Sequence, residues 1–301
     1  MRVTQSMLSS NMLRNLTTSY NKMGKLQEQI NTGKKVNRPS DDPVVVMKGL
    51  GYGMQVDKVA QFQKNLTEVN NWMDSSDDAL DGVGSVLDRA KYITTNAANT
   101  GTMTPGDRDK IKVELEQLRQ QIQDLANTKV GDKYIFSGSL TDTPLYDKAN
   151  NQYPLLSTDS TPNGAATAYE KNIEIEVFDG VSLRVNSTAG KMFKDIDTMF
   201  QELADIGEDG VGFSEGIEKI DNLMNDVLTH RADIGARSNR AELMSNRLEM
   251  QEGAAKKQRS ENEDIDYEKA ITEMITQESI HRAALSVGAR IIQPSLVDFL
   301  R

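Results

Sequence analysis

Two adjacent carboxylates, Asp41 and Asp42, are the side chains in this sequence best suited to acid–base chemistry. They lie in the stretch VNRPSDDPVVV at residues 36–46, just after the cation of Arg38. Neighbouring carboxylates can divide the roles of acid and base, because repulsion between their charges keeps one of them protonated. Whether these two do so depends on the elements that hold them.

The residues around the two aspartates are typical of a turn between helices. Gly33 suits the position just past a helix end. A residue before proline favours the extended region, and Asp42 followed by Pro43 is a favoured pair for an N-cap and first helical residue. We therefore expect Asp42 to cap a helix and Asp41 to lie near the same helix end, with Arg38 as its ion-pair partner. The three valines that follow favour a short or irregular helix.

No other group of residues has the spacing of a catalytic, nucleotide or metal site. The chain contains no cysteine, and its two histidines, His230 and His281, are far apart and outside any HExxH motif. The glycines of GLGYG (49–53) lack the GxGxxG spacing of a dinucleotide site. The acidic run at 74–82 lacks the residue order of a calcium loop. The sequence therefore predicts a protein that is not an enzyme and has no cofactor or metal.

The composition limits the possible partners. The chain of 301 residues has a formal net charge of −10, whereas nucleic-acid binding calls for a basic surface. No stretch is apolar enough to span a membrane, and the N-terminal residues lack the apolar segment of a secretory leader. With 37% apolar and 5% aromatic residues, the composition favours an elongated helical protein. We therefore expect no nucleic-acid partner and no membrane insertion.

Heptad spacing is the strongest structural signal in the sequence. One continuous series of residues alternates steps of three and four, as coiled-coil packing requires. The series consists of Val59, Phe62, Leu66, Val69, Met73, Ser76, Leu80, Val83, Leu87, Ala90, Thr94 and Ala97. The pattern predicts an elongated antiparallel coiled-coil or helical rod formed by the N- and C-terminal regions.

Both ends of the chain have apolar residues at helical spacing, which we expect to form an assembly interface between subunits. The last helix is apolar on two sides, which favours neighbours on two sides, and Pro294 is expected to end it. The N-terminal part of the interface consists of Met12, Leu16, Met23, Leu26 and Ile30. The C-terminal part consists of Ile271, Met274, Ile280, Leu285, Val287, Ile291 and Ile292, followed by Leu296, Phe299 and Leu300.

The middle of the chain has a different period. In IEIEVFDGVSLRV (173–185), apolar residues alternate on both sides of an Asp-Gly pair, which is a strong hairpin signal. The sequence therefore predicts a mainly α fold with a β-rich insert. Four regions are expected: an N-terminal assembly helix and turn (1–56), a helical rod domain (57–132 with 189–261), a β-rich surface insert (133–188) and a C-terminal assembly helix (262–301).

Three motifs resemble the flagellin superfamily and, within it, the junction proteins between hook and filament. They are INTGKKVNRPSDDP (30–43), GDKYIFSGSLTDTPLY (131–146) and AALSVGARIIQPSLVDFLR (283–301). Filament flagellins usually have alanine-rich sequence after the paired aspartates, whereas this chain has Pro43 and valines there. The resemblance covers both terminal regions.

The resemblance implies a structural protein that assembles with copies of itself into a ring. It implies that the ring contacts hook-associated protein 1 on one side and flagellin on the other. It also implies export through the flagellar type III apparatus to an extracellular place in the bacterial flagellum. A cytoplasmic export chaperone is expected at the C-terminal region, including Leu285, Ile292, Leu296 and Phe299.

Two other functions stay open at this point. A filament flagellin would share the terminal helices, although Pro43 and the ending IIQPSLVDFLR argue against it. A cytosolic coiled-coil scaffold would share the heptads, but it gives no account of the insert or of the terminal motifs.

Overall fold

The structure is a computed structural model that describes residues 5–98, 104–154, 166–206 and 212–292. Its helices are α1 (Gln5–Thr32), α2 (Pro43–Ala97), α3 (Pro105–Ala126), α4 (Ala166–Tyr169), α5 (Gly190–Asp205), α6 (Phe213–Glu263) and α7 (Tyr267–Ile292). Its strands are β1 (Lys129–Val130), β2 (Lys133–Tyr134), β3 (Glu174–Phe178) and β4 (Val181–Arg184), which pair as two antiparallel sheets of two strands each. This mainly helical chain with small sheets confirms the predicted fold class.

The chain divides into two compact units. The terminal unit comprises residues 1–58 and 251–301, and the central unit comprises residues 59–250. Helices α2 and α6 contribute residues to both units.

The core of the central unit contains the heptad series of α2. Every member of that series, from Val59 to Ala97, is at most 8% exposed, and the polar members Ser76 and Thr94 are fully buried. The Ser76 hydroxyl donates to the carbonyl of Trp72 (2.7 Å), so its burial leaves no unpaired donor. The prediction of a long apolar seam over these residues is therefore confirmed.

A second buried stripe of α2 was missed by the sequence analysis. It consists of Trp72, Ala79, Val86 and Ile93, each seven residues after the last. Helix α6 contributes Ile220, Val227, Ile234, Ala241 and Leu248, again at steps of seven. Because α2 is buried along two stripes, this part of the chain has a core of several helices rather than one two-helix seam.

A buried ion pair fixes α3 against α5. The Asp197 carboxylate accepts two hydrogen bonds from Arg119, at 2.8 Å from Nε and 3.1 Å from Nη2. Gln123 and Gln201 each donate another at 2.8 Å. The bond to Asp197 holds the pKa of Arg119 above its ordinary value. With four donors on one carboxylate, the charges are satisfied despite side-chain exposures of 12% and 6%.

The predicted hairpin is present as β3 and β4. Gly180 has a φ of 72°, which an L side chain rarely adopts, so the Asp-Gly pair makes the turn. Val177 and Leu183 point into the core of the central unit and are at most 2% exposed. The rings of Phe136 and Phe193 pack at 4.9 Å between centroids. These buried side chains anchor the insert to the helices around it.

Candidate assembly surface of the terminal unit

The turn between α1 and α2 has the cap that its residues predict. Gly33 follows the last residue of α1 with a φ of 72°, which glycine adopts without strain. Asp42 Oδ1 accepts hydrogen bonds from the backbone amides of Val44 (3.0 Å) and Val45 (3.1 Å), and Pro43 is the first residue of α2. Asp42 therefore satisfies two amides that the helix itself leaves unpaired.

Two expectations for this turn are wrong. Helix α2 is not short but continues for 55 residues, because each β-branched residue disfavours a helix by only about 0.5 kcal/mol, which the packing further along outweighs. Asp41 pairs with Lys25 (3.0 Å) rather than with Arg38, whose Nη2 lies 3.8 Å from Glu28. The hydrogen bond from Lys25 holds the pKa of Asp41 below its ordinary value. Asp41 is thus held by an ion pair and Asp42 by the amides that it caps, so both carboxylates serve the turn.

The turn is tied to the end of α6 by backbone and side-chain bonds. The amide of Lys35 donates to the carbonyl of Glu263 (2.7 Å). The ammonium of Lys34 donates to Glu263 (3.1 Å) and to Asp264 (2.7 Å). The bond to Asp264 raises the pKa of Lys34, and the same bond lowers the pKa of Asp264. The loops that precede α2 and follow α6 therefore hold each other in place.

Helices α1 and α7 pack antiparallel. Ser19 Oγ accepts a hydrogen bond from Gln277 Nε2 (2.6 Å), and earlier in α1 Met12 lies against Gly288, where an added Cβ would collide with it. The helices approach through a stripe of α7 composed of Ala270, Met274, Gln277, His281, Ala284 and Gly288, all buried or half-buried. Small and polar residues dominate this stripe, so the helices come close without burying much apolar surface.

The predicted assembly residues fall into three groups. The first group lies where α1 and α7 face each other and is half-buried. Its α1 members lie on the side of the helix that carries Ser19, and its α7 member lies in the stripe that faces α1. The group consists of Met12, Leu16, Met23, Leu26, Ile30 and Met274. A second group of α7 is exposed: Ile271 (43%), Ile280 (52%), Leu285 (51%) and Val287 (53%). The third group lies outside the described side chains or residues: Ile291, Ile292, Leu296, Phe299 and Leu300.

An exposed stripe of α2 was missed. Met47, Leu50 and Met54 follow heptad spacing and are 73%, 64% and 68% exposed. The spacing is visible in the sequence, but the three valines before it predict a short or irregular helix, so the pattern alone does not extend α2 over these residues. The terminal unit therefore has apolar surface on α2 as well as on α7.

Two tests for other functions find nothing in the described parts of the chain. No group of three or more His, Asp or Glu residues there is arranged to hold a metal ion. None of the described helices combines the length and apolar character needed to cross a lipid bilayer.

Two family models match the chain. The model of the bacterial flagellin N-terminal helical region matches residues 3–141, and that of the bacterial flagellin C-terminal helical region matches residues 217–300. Together they span more than half of the sequence. Among curated proteins, flagellar hook-associated protein 3 of Escherichia coli is 24% identical over 94% of this chain and 95% of its own length. Flagellin of Bacillus subtilis is 24% identical over 97% of each.

Solved structures share the fold. A flagellar hook-associated protein of Vibrio parahaemolyticus is 25% identical, with a TM-score of 0.61 over 74% of this chain and 100% of its own. Flagellar hook-associated protein 3 of Legionella pneumophila is 15% identical, with a TM-score of 0.56 over 69% of this chain and 98% of its own. At 15% identity, the similarity to the Legionella pneumophila structure shows a shared fold and nothing more.

Proposed function

The chain belongs to the flagellin family of bacterial flagellar structural proteins, which are not enzymes, and we propose that it forms the junction between the hook and the filament. It does so by assembling with copies of itself through the terminal unit. Relatives named flagellar hook-associated protein 3 align with nearly the whole chain and support this position in the flagellum.

The main support for this proposal is that the described residues of the terminal unit bury very few apolar side chains. Among its described residues, the buried apolar side chains are those of Ala255 and Ala270. Its large apolar side chains on α1, α2 and α7 include many that are 43% to 73% exposed. Burial of one such side chain is worth about 1.5–3 kcal/mol, so a unit built this way gains much of its stability from contacts with other molecules.

The proposed assembly is a ring of like subunits with hook-associated protein 1 on one side and flagellin on the other. The exposed group of α7 and the residues that follow it, from Ile271 to Leu300, supply the interface between subunits. Before assembly the chain leaves the cell through the flagellar type III apparatus. A cytoplasmic chaperone covers the C-terminal region until export, because apolar surface of this kind promotes aggregation.

A filament flagellin is the second candidate. It is supported by the match to the Bacillus subtilis flagellin, which extends over nearly the full length of both chains. Pro43 and the valines after the paired aspartates favour the junction protein instead.

Immuno-electron microscopy of intact flagella tests the proposal. An antibody against the chain is expected to label one narrow band where hook and filament meet. Label along the whole filament would show a filament flagellin. Absence of the chain from flagella and from secreted protein, with the chain present in the cytosol, would contradict both and favour a cytosolic scaffold.

A further inference from the structure

Methionine is the residue through which a peroxide can act on this protein. The chain has 14 methionines and no cysteine, so all of its sulfur is present as thioethers. Hydrogen peroxide transfers one oxygen atom to a thioether, which becomes a sulfoxide, while the O–O bond breaks and the peroxide is reduced to water. The reaction converts a flexible apolar side chain into a polar one, so its effect depends on what the methionine contacts.

The methionines differ widely in exposure. In the core of the central unit, Met73, Met192 and Met199 are at most 4% exposed, so a dissolved oxidant reaches them only when the core opens. On α2, Met47 and Met54 are 73% and 68% exposed. Oxidation of these two side chains therefore adds a polar group where water already surrounds most of the residue.

The contact between α1 and α7 contains methionines of a third kind. Met12, Met23 and Met274 are half-buried there, so each is partly accessible and also packed. Hydrogen peroxide is only slightly larger than water and can reach such side chains. Because the α7 stripe is otherwise made of small and polar residues, these thioethers supply a large share of the apolar surface that the contact buries. The contact is therefore both accessible to peroxide and dependent on the groups that peroxide changes.

Met12 lies at a tight point of this contact. A Cβ added to Gly288 would lie 3.0 Å from Met12 Sδ and would collide with Met12 Cε. The glycine thus makes room on α7 for the thioether of α1. A sulfoxide adds an oxygen atom and a strong dipole to this sulfur, at a place with no room for a methyl group. Either the side chain must leave the contact or the two helices must move apart.

We propose that Met12 is an oxidation site for peroxides, and that its sulfoxide loosens the packing of α1 on α7. Met23 and Met274 add to the same effect, whereas the buried methionines of the central core stay reduced. The switch is reversible, because methionine sulfoxide reductases restore the thioether. This inference goes beyond the proposed function and does not depend on it.

Two measurements on the purified full-length chain test the inference. Peptide mapping by mass spectrometry after hydrogen peroxide treatment follows the oxidation itself. Sulfoxide is expected to form first at Met47 and Met54. It is expected later at the half-buried Met12, and Met73 should stay reduced while the core stays folded. Amide hydrogen exchange of the same samples measures the packing, and the amides of α1 and α7 should exchange at least tenfold faster once Met12 is oxidised.

Three variants separate Met12 from the other thioethers. Met23→Leu with Met274→Leu leaves Met12 as the half-buried methionine of the described contact, and this variant should still lose protection after peroxide. Addition of Met12→Leu should abolish that loss, because leucine has a similar volume and no sulfur. As the matched control, Met47→Leu with Met54→Leu removes two exposed thioethers and should lose protection as the wild type does.

A variant without oxidant gives a further check. Met12→Gln places a polar group against Gly288, so α1 and α7 should exchange faster in the untreated chain, whereas Met12→Leu should not change them. The inference fails if Met12 stays reduced when Met47 and Met54 are fully oxidised, or if its oxidation leaves the exchange of both helices unchanged. Fast exchange of both helices before oxidation would also overturn it, because no packing would then be left to loosen.

Discussion

Replacement of Asp42 by alanine tests the cap of α2 directly. The structure gives its carboxylate two backbone donors, Val44 at 3.0 Å and Val45 at 3.1 Å, at the point where α2 begins. Loss of an N-cap acceptor costs about 0.5–2 kcal/mol. Local opening of the first turn should therefore become about 2 to 30 times more frequent, because each 1.4 kcal/mol changes an equilibrium tenfold.

The effect should stay local. Helix α2 continues from this turn into the core of the central unit, where residues such as Leu80 and Val83 are fully buried. Global unfolding of the central unit does not depend on the first turn of the helix, so its midpoint should not change. Amide hydrogen exchange of the purified chain measures the opening, with the amides of Val44 and Val45 as reporters.

Asp42→Asn is the matched control. Asparagine caps a helix about as well as aspartate but lacks its charge, which is worth about 0.3–1 kcal/mol beside a helix N-terminus. We expect the Asn variant to keep most of the protection that the Ala variant loses, and incorporation into flagella to fall only in the Ala variant. Unchanged protection of the two amides in Asp42→Ala would refute the cap. Equal losses in both variants would show that charge, rather than the acceptor, stabilises the turn.

Two further predictions concern the central unit. Asp197→Ala removes the two shortest bonds of Arg119 and leaves this largely buried cation with only the longer contact to Glu116 (3.5 Å), so urea unfolding should show a loss of about 3–5 kcal/mol. Asp197→Leu with Arg119→Met should lie much closer to the wild type, because no charge is then left buried. Equal losses in the two variants would contradict this account of the pair. Burial lowers the pKa of His230, so just below pH 6.5 this side chain binds a proton less often in the folded chain than in the unfolded chain. The free energy of unfolding should then fall as the pH drops below the ordinary value of 6.5, and an unchanged pH dependence in His230→Gln would refute this.

The sequence predicted the first α2 seam because all the information for it is local. Residues from Val59 to Ala97 repeat the steps of three and four that any partner helix would bury. The stripe of Trp72, Ala79, Val86 and Ile93 has one member per heptad, a pattern that also occurs by chance on an exposed helix face. Whether such a stripe is buried depends on helices distant in the chain, which no local pattern specifies.

In the terminal unit, by contrast, the apolar pattern of α7 is clear in the sequence but is compatible with packing either within one chain or between copies. The sequence predicts Met274, Ile271 and Leu285 alike as assembly residues of α7, but the structure turns only Met274 of these three towards α1. Local periodicity finds apolar residues without distinguishing a partner in the same chain from a partner in another copy.

The residues of α7 that face α1 indicate which side of α7 packs within the chain. Ala284 and Gly288 allow close approach, and Gln277 needs a polar partner, which Ser19 supplies. A helix that had to be stable with α1 alone would gain more by turning Ile271 and Ile275 inward, since each would then remove more apolar surface from water. Their outward position therefore favours a role in which the apolar surface of α7 contributes its free energy to the assembly rather than to the single chain.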